Sequence, residues 1–345
     1  MSVDLRRPAS GSGDTRYAYL VGRVRELERG LLSQRTLETL LRSENLEQAL
    51  RGVAEIPYWG EAFQNVPSRT YDIDRVLVTH YWQNIQEIAS HSPGDKIARF
   101  FIWPFDFSEV KLILKHRLVG KALEDTYPTT LDGVKVNRFL GGETREYLSD
   151  LWIKAITDSL EAYENYRVIQ VVEIVLDRYY LEQVYLLAQE MESKVLKNWL
   201  LAFVLLAYFR AVFRARYQQR KGELVRLLFF AQPLFPEGKL VEMLNASPEK
   251  VAEEVGNFGF DFLLPEKGVF RDDPSYLAEI EKNMDNYLLD FIRSYRWEAF
   301  GPEPVFGFLW AQGIDVKNLR LILEGKYFGL ENEKIKNKLR ECYYE

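Results

Sequence analysis

Three stretches, "FDFSEVKLILKHRLVG" (Phe105–Gly120), "LLAYFRAVFRARYQQRKG" (Leu205–Gly222) and "IDVKNLRLILEGKYFG" (Ile314–Gly329), share one pattern: apolar residues at three- and four-residue steps, then a basic tail. That spacing is the signature of a helix with a wide apolar surface. A second helical segment precedes each: "IDRVLVTHYWQNI" (Ile73–Ile85), "VVEIVLDRYYLEQV" (Val171–Val184) and "AEIEKNMDNYLLDFI" (Ala278–Ile292). These align on Tyr81, Tyr179 and Tyr287, at steps of 98 and 108 residues, and the downstream helices then match at Asp106, Leu205 and Asp315. Repetition at a near-constant step marks supersecondary units that bury their faces against one another. A step this long suits three small helical bundles better than three turns of a solenoid.

No sustained period-two alternation appears, so the expected fold is all-α. The expected organisation is a flexible leader over 1–16, N-terminal helices over 17–66, and three repeat units over 67–160, 161–265 and 266–345. The leader "MSVDLRRPASGSGDTR" is polar and rich in Ser and Gly, a composition that buries little apolar area. From Tyr17 onward, Leu20, Val21, Val24, Leu27 and Leu31 recur at helical spacing opposite charged residues. Ser33 and Ser43 are expected helix N-caps, and "IPYWGEAF" (Ile56–Phe63) an aromatic turn. Expected linkers are 66–72, 125–133, 231–238 and 270–276, with "FGPEPVFG" (Phe300–Gly307) breaking the third unit at its two prolines.

At 345 residues the chain exceeds one ordinary core and should divide. A formal net charge of −6 argues against a nucleic-acid binder. Cys342, the one cysteine, cannot form an internal disulfide, and no secretory leader pattern is visible, so the expected compartment is the cytoplasm. The apolar run Trp199–Phe209 is far shorter than the about 20 residues needed to span a bilayer, so it is expected to be a buried helix.

The chemistry of an enzyme is missing from the sequence. "LVGKA" (Leu118–Ala122) lacks the earlier glycine and the hydroxyl of a phosphate loop. His80, His91 and His116 have no Cys or acidic neighbour at metal-ligand spacing. Asp272-Asp273 before Pro274 reads as a helix N-cap rather than half of a magnesium motif, and "GNFGFDF" (Gly256–Phe262) as a turn. No catalytic residue, cofactor or metal is expected.

Basic residues recur in the matched helices: Lys111, Lys115, His116 and Arg117; Arg210, Arg214, Arg216, Arg220 and Lys221; Lys317, Arg320 and Lys326. They fit two readings, a solvated face matched to the helix dipole or a positive rim around a common axis that meets a partner. On the second reading Lys111, Lys115, Arg210, Arg214, Arg320 and Lys326 are the partner-binding residues.

The opening "YAYLVGRVRELERGLL" (Tyr17–Leu32) and the closing "NLRLILEGKYFGLENEKIKNKL" (Asn318–Leu339) resemble the C subunit, in eukaryotes the d subunit, of the V/A-type rotary ATPases. The likeness falls on Tyr19, Leu20, Arg23, Val24 and Arg25, then on Asn318, Leu319, Arg320, Gly325, Lys326, Gly329, Glu333, Ile335 and Leu339. "PEGKL" (Pro236–Leu240) has the family look of a turn opening a helix. The middle unit departs, with Leu205 where its sisters have Asp106 and Asp315, and Tyr208 where the Asn-Leu-Arg helix has Asn318.

The resemblance implies a non-catalytic, funnel-shaped socket of three units about a pseudo-threefold axis, peripheral on the cytoplasmic face of the membrane. Its implied partners are the membrane rotor ring of proteolipid subunits and the central stalk, coupling ATP turnover to proton or sodium transport. The rival readings are a free-standing helical adaptor for soluble partners and a metal-dependent helical enzyme.

Overall fold

The computed structural model describes residues 7–63, 70–120, 128–143, 148–218 and 222–344. Four helices come first: α1 (Ala18–Leu27), α2 (Gln34–Leu41), α3 (Leu46–Ala54) and α4 (Gly60–Phe63). The first long pair is α5 (Thr70–His91) and α6 (Lys96–Val119). Then α7 (Gly133–Leu140) and α8 (Asp150–Tyr166) lead to α9 (Gln170–Glu190) and α10 (Lys194–Tyr217). Finally α11 (Gly222–Arg226), α12 (Glu237–Asn245) and α13 (Pro248–Asn257) lead to α14 (Pro274–Arg293), α15 (Pro302–Tyr327) and α16 (Asn332–Lys336). Among the described residues the only extended pairing is an isolated bridge between Ser33 and Tyr344, so the fold is all-α.

Tyr81, Tyr179 and Tyr287 each lie on the first helix of a long pair, and the apolar parts of the three basic-tailed stretches lie on the second. The six long helices close on themselves. Going round, α5 packs on α6, α6 on α9, α9 on α10, α10 on α14, α14 on α15, and α15 back on α5. The second helices of the pairs also meet near their N-terminal ends in an aromatic junction. Phe100 of α6 lies 5.5 Å from Trp199 of α10 and 5.2 Å from Phe306 of α15, and Trp199 lies 4.7 Å from Trp310. Edge-to-face pairs of this kind contribute about 0.5–1.5 kcal/mol each beyond their buried area.

From Trp199 to Phe209, helix α10 is apolar on every face, a run that calls for burial all round. Its composition and length would allow it to cross a membrane; here it is a wall of the ring, with Trp199, Leu205 and Phe209 each at most 2% exposed. The sister positions of Leu205 are buried aspartates, and each is supplied with donors. Asp106 accepts hydrogen bonds from the Thr129 hydroxyl (2.6 Å), the Thr130 N–H (2.8 Å) and the Thr130 hydroxyl (2.7 Å). Asp315 accepts the Leu32 N–H at 2.9 Å, and burial pushes its carboxyl well above the usual carboxylate range.

Segments near both ends of the chain lock onto α14 and α15. Residues 7–16, expected within a flexible leader, instead lie along the third pair: Arg7 pairs with Asp290 (2.7 Å), the Tyr295 hydroxyl donates to the Pro8 carbonyl (2.5 Å), and the Gly11 N–H donates to Glu298 (3.0 Å). Polar backbone rather than apolar side chains holds this segment, which composition does not reveal. The rest of the leader lies outside the described residues. Glu303, fully buried in the first turn of α15, accepts from the Ser12 N–H (2.8 Å) and from the hydroxyl of Ser193, the N-cap of α10 (2.6 Å). One carboxylate thus ties the N-terminal segment to two helix starts, where the dipole favours an anion. Gly301 before it has φ 101°, and a side chain there would run into Glu303.

At the other end, Asn318 grips the backbone of Arg340 on both sides, donating to its carbonyl (3.1 Å) and accepting from its N–H (2.9 Å). Arg293 and Arg296 hold the Cys342 and Tyr343 carbonyls, and the Tyr344 hydroxyl donates to Glu28 (2.7 Å).

Some expectations differ from the structure. Ser33 caps α2 as expected, but α3 is capped by Asn45, whose side chain accepts the Gln48 N–H; Ser43 is buried before it. No helix runs through the two prolines, since α14 ends at Arg293, but the interruption lies ahead of them: Pro302 and Pro304 form the first turn of α15, which needs no donor from those positions. Asp273 caps α14, as expected of the Asp-Asp-Pro sequence.

Leu205→Asp is expected to lower unfolding free energy by about 3 kcal/mol or more, since Leu205 is 2% exposed within an apolar cluster that would have to take up a carboxylate. Chemical denaturation checks this; an unchanged midpoint would remove α10 from the core.

Candidate partner-binding site

The basic residues of α6, α10 and α15 reach across to the first helix of the next pair. From α6, Lys111 pairs with Asp177 of α9 at 2.5 Å and Lys115 pairs with Glu173. From α10, Arg210 approaches Asp285 of α14 at 3.4 Å, and Arg214 makes a two-pronged contact with Glu281 at 2.5 and 3.0 Å. From α15, Arg320 Nε donates to Asp74 of α5 at 2.6 Å. The direction is the same at each junction, from one pair to the next and from the third back to the first.

The sequence carried a signal for this. Lys111, Arg210 and Arg320 stand five places after the matched Asp106, Leu205 and Asp315, and Lys115 and Arg214 stand nine places after. Their partners Asp177 and Asp285 stand two places before the matched tyrosines, and Glu173 and Glu281 six places before. At the third junction these more distant registers hold Glu324 and Arg75, the two charges exchanged.

Lys326 differs from the other five. Its ammonium donates to the Leu41 carbonyl (2.7 Å), the Ser43 carbonyl and Asn332 (2.6 Å), closing the C-terminal end of α2 where a cation is favoured. Arg216 acts alike on α12, binding the Met243, Leu244 and Ala246 carbonyls and Asp272. The structure therefore brings Lys111, Lys115, Arg210, Arg214 and Arg320 to the junctions between pairs, places Lys326 on the N-terminal helices, and gives each an internal partner. Arg220 and Lys221 lie outside the described residues. The most open of the junction cations is Arg214, whose side chain is 58% exposed.

Arg210 and Arg214 also border a groove of about 420 Å³ between α9, α10 and α11, with Ile174, Asp177, Tyr180 and Ala211 on its walls. Among the described residues no cluster of His, Cys, Asp and Glu could hold a metal. Cys342 is buried, which pushes its thiol up to about 12, out of reach of thiolate chemistry near neutral pH.

The model of the ATP synthase (C/AC39) subunit family matches residues 20–338. The chain belongs to that family. It is a non-catalytic subunit of the V/A-type class. Among known proteins it is similar to the C subunit of the V-type sodium ATPase of Enterococcus hirae, at 23% identity, with 93% of this chain and 96% of that one covered. It is also similar to the C subunits of two A-type ATP synthases: that of Methanocaldococcus jannaschii, at 22% identity over 94% and 86% of the two chains, and that of Methanothermobacter thermautotrophicus, at 21% over 90% and 84%.

The motif residues that carry the resemblance have structural tasks in this member. Asn318 grips the C-terminal tail, Arg320 joins the third pair to the first, and Lys326 caps α2. Gly325 gives room to Ile335, whose atoms lie 2.5 Å from where a β-carbon would stand.

Asp285, 5% exposed at its side chain, also receives Lys317 (3.1 Å) and Arg340 (3.0 Å). Burial alone would raise its carboxyl, but Lys317, Arg210 and Arg340 outweigh that and hold it below the usual range. A depressed carboxyl contributes stability that is present above the unfolded value of about 3.9 and is lost as pH falls through the lower folded value. Asp285→Asn is expected to destabilise the chain by about 3–5 kcal/mol at neutral pH, because three cations lose their anion. It should also flatten the acid limb of stability against pH. Thermal unfolding from neutral to acidic pH checks both.

Proposed function

We propose that the chain is the rotor socket of a V/A-type ATPase or ATP synthase, joining the central stalk to the membrane rotor ring on the cytoplasmic face and so coupling ATP turnover to proton or sodium transport. The observation that carries this reading is the closed ring of six long helices, cross-linked by ion pairs at each junction and locked by the segments near both chain ends. A part that passes torque needs stiffness and matched surfaces rather than a nucleophile. A ring whose last wall, α15, is bonded to the first, α5, resists being pried open. Family membership supports the same reading, since the relatives bear the names of rotary-complex subunits.

In this proposal Lys111, Arg210 and Arg320 mainly stiffen the ring, while the more exposed Lys115 and Arg214 also steer an acidic partner surface, chiefly through association rate and salt sensitivity. Lys326 acts indirectly, by holding the N-terminal helices.

Co-purification with ring and stalk subunits of the same complex tests the reading. A helical adaptor for soluble partners would bind neither, and that outcome would replace the socket. Arg214→Glu is expected to weaken stalk association several-fold and to change thermal stability by no more than about 1 kcal/mol, because the pair is exposed. Adding Glu281→Arg should restore stability but not affinity. Full recovery of affinity in the double variant would assign Arg214 to the ring alone.

A further inference from the structure

The junction between the second and third pairs is unlike the first. Between α6 and α9, Lys111 and Lys115 meet Asp177 and Glu173, cation for anion. Between α10 and α14, Arg210 and Arg214 meet Asp285 and Glu281, but Lys317 of α15 and Arg340 of the C-terminal tail crowd onto the same Asp285. Three cations there share the one buried carboxylate of Asp285, while Arg214 pairs with Glu281. Lys317 has no counterpart in the repeat, since Ser108 and Ala207 occupy its register in the other two pairs.

The excess leaves traces in the geometry. Arg210 Nε is a buried donor without an acceptor, and so is the indole N–H of Trp310, whose ring lies 5.6 Å from the Lys317 ammonium. Buried donors in native structures are almost always paired, so two orphans beside surplus positive charge describe a place that lacks an acceptor. Burial, with Arg210 and Arg340 as like-charged neighbours, draws the Lys317 ammonium below its usual range even though Asp285 opposes the shift. Arg210 also lies on the wall of the 420 Å³ groove, together with Arg214, Glu173 and Asp177.

We infer that the Arg210–Lys317–Arg340 cluster receives a carboxylate from the protein seated in the ring, and that this off-axis contact fixes the rotational register of that protein. The inference rests on the socket reading. Three similar helix pairs give a seated partner three nearly equivalent orientations, and one charged spot present in only one of three positions selects among them. A single fixed orientation is what lets a rotor part transmit a defined step.

The test is calorimetric titration of the purified chain with the central-stalk subunits of its own complex, at low and high salt. Lys317→Gln and Arg210→Gln each leave Asp285 with two cations, so both variants should fold. Each is expected to bind about ten-fold more weakly, with a shallower salt dependence. Lys317→Arg should retain affinity, and Lys336→Gln, at an exposed lysine on α16, should change nothing. Inorganic sulfate should compete with the stalk for the wild-type chain and lose that effect with Lys317→Gln. Wild-type affinity and salt dependence in both Gln variants would overturn this inference and leave the socket reading intact. So would sulfate that stabilises the chain without displacing the stalk, which would mark a site for a free anion. Failure of the wild-type chain to bind stalk subunits at all would overturn both.

Discussion

A long helix without a polar stripe has to be surrounded on every side, and this chain has several. α10 from Trp199 to Phe209 and α15 from Pro302 to Val316 offer water almost no polar face. Two such helices packed together still leave apolar surface in water. A closed ring with an aromatic junction at the centre leaves far less, and the arrangement of the six long helices follows from that need. The remaining short helices cover what the ring exposes: α8 lies on α9, α12 on α10, and α3 on α15.

Polar residues on such helices then recruit what lies outside the ring. Asp106 fastens the segment at Thr129 and Thr130, Asp315 fastens the backbone at Leu32, Glu303 fastens Ser12, and Asn318 fastens the tail at Arg340. Each is a buried group that would be costly alone and that is satisfied only by a particular remote segment. Apolar surface sets how the long helices gather; these few polar contacts set which loops and end segments go where.

What the sequence disclosed and what it hid divide along the same line. The helix pairs, the burial of Leu205, the capping by Ser33 and Asp273 and the absence of metal-ligand spacing are local properties, legible from three- and four-residue steps. The partners of the basic residues were not, because Lys111 meets Asp177 and Arg320 meets Asp74 across long stretches of chain. Read singly, those cations look like a free rim. Only the matched offsets of Asp177 and Asp285 from their tyrosines hint that each cation has an anion waiting on the neighbouring pair. Residues 7–16 were hidden for another reason: backbone N–H and C=O groups do most of the holding, and composition says nothing of them.

The clasp formed by Asn318 and Arg340, together with the Tyr344–Glu28 contact, has a consequence for how the molecule is made. Synthesis runs from the N-terminus, so every long helix leaves the ribosome before the residues of this clasp. Until Arg340 and Tyr344 emerge, Asn318 lacks the backbone it grips, Asp285 lacks one of its cations, and Glu28 lacks the Tyr344 hydroxyl. The contact of α15 with α5 can form before that stretch is made, so what the last residues add is the fastening of Asn318, Asp285 and Glu28 to the tail. The position of a handful of late residues thus makes the final tightening of the third pair the last event of synthesis.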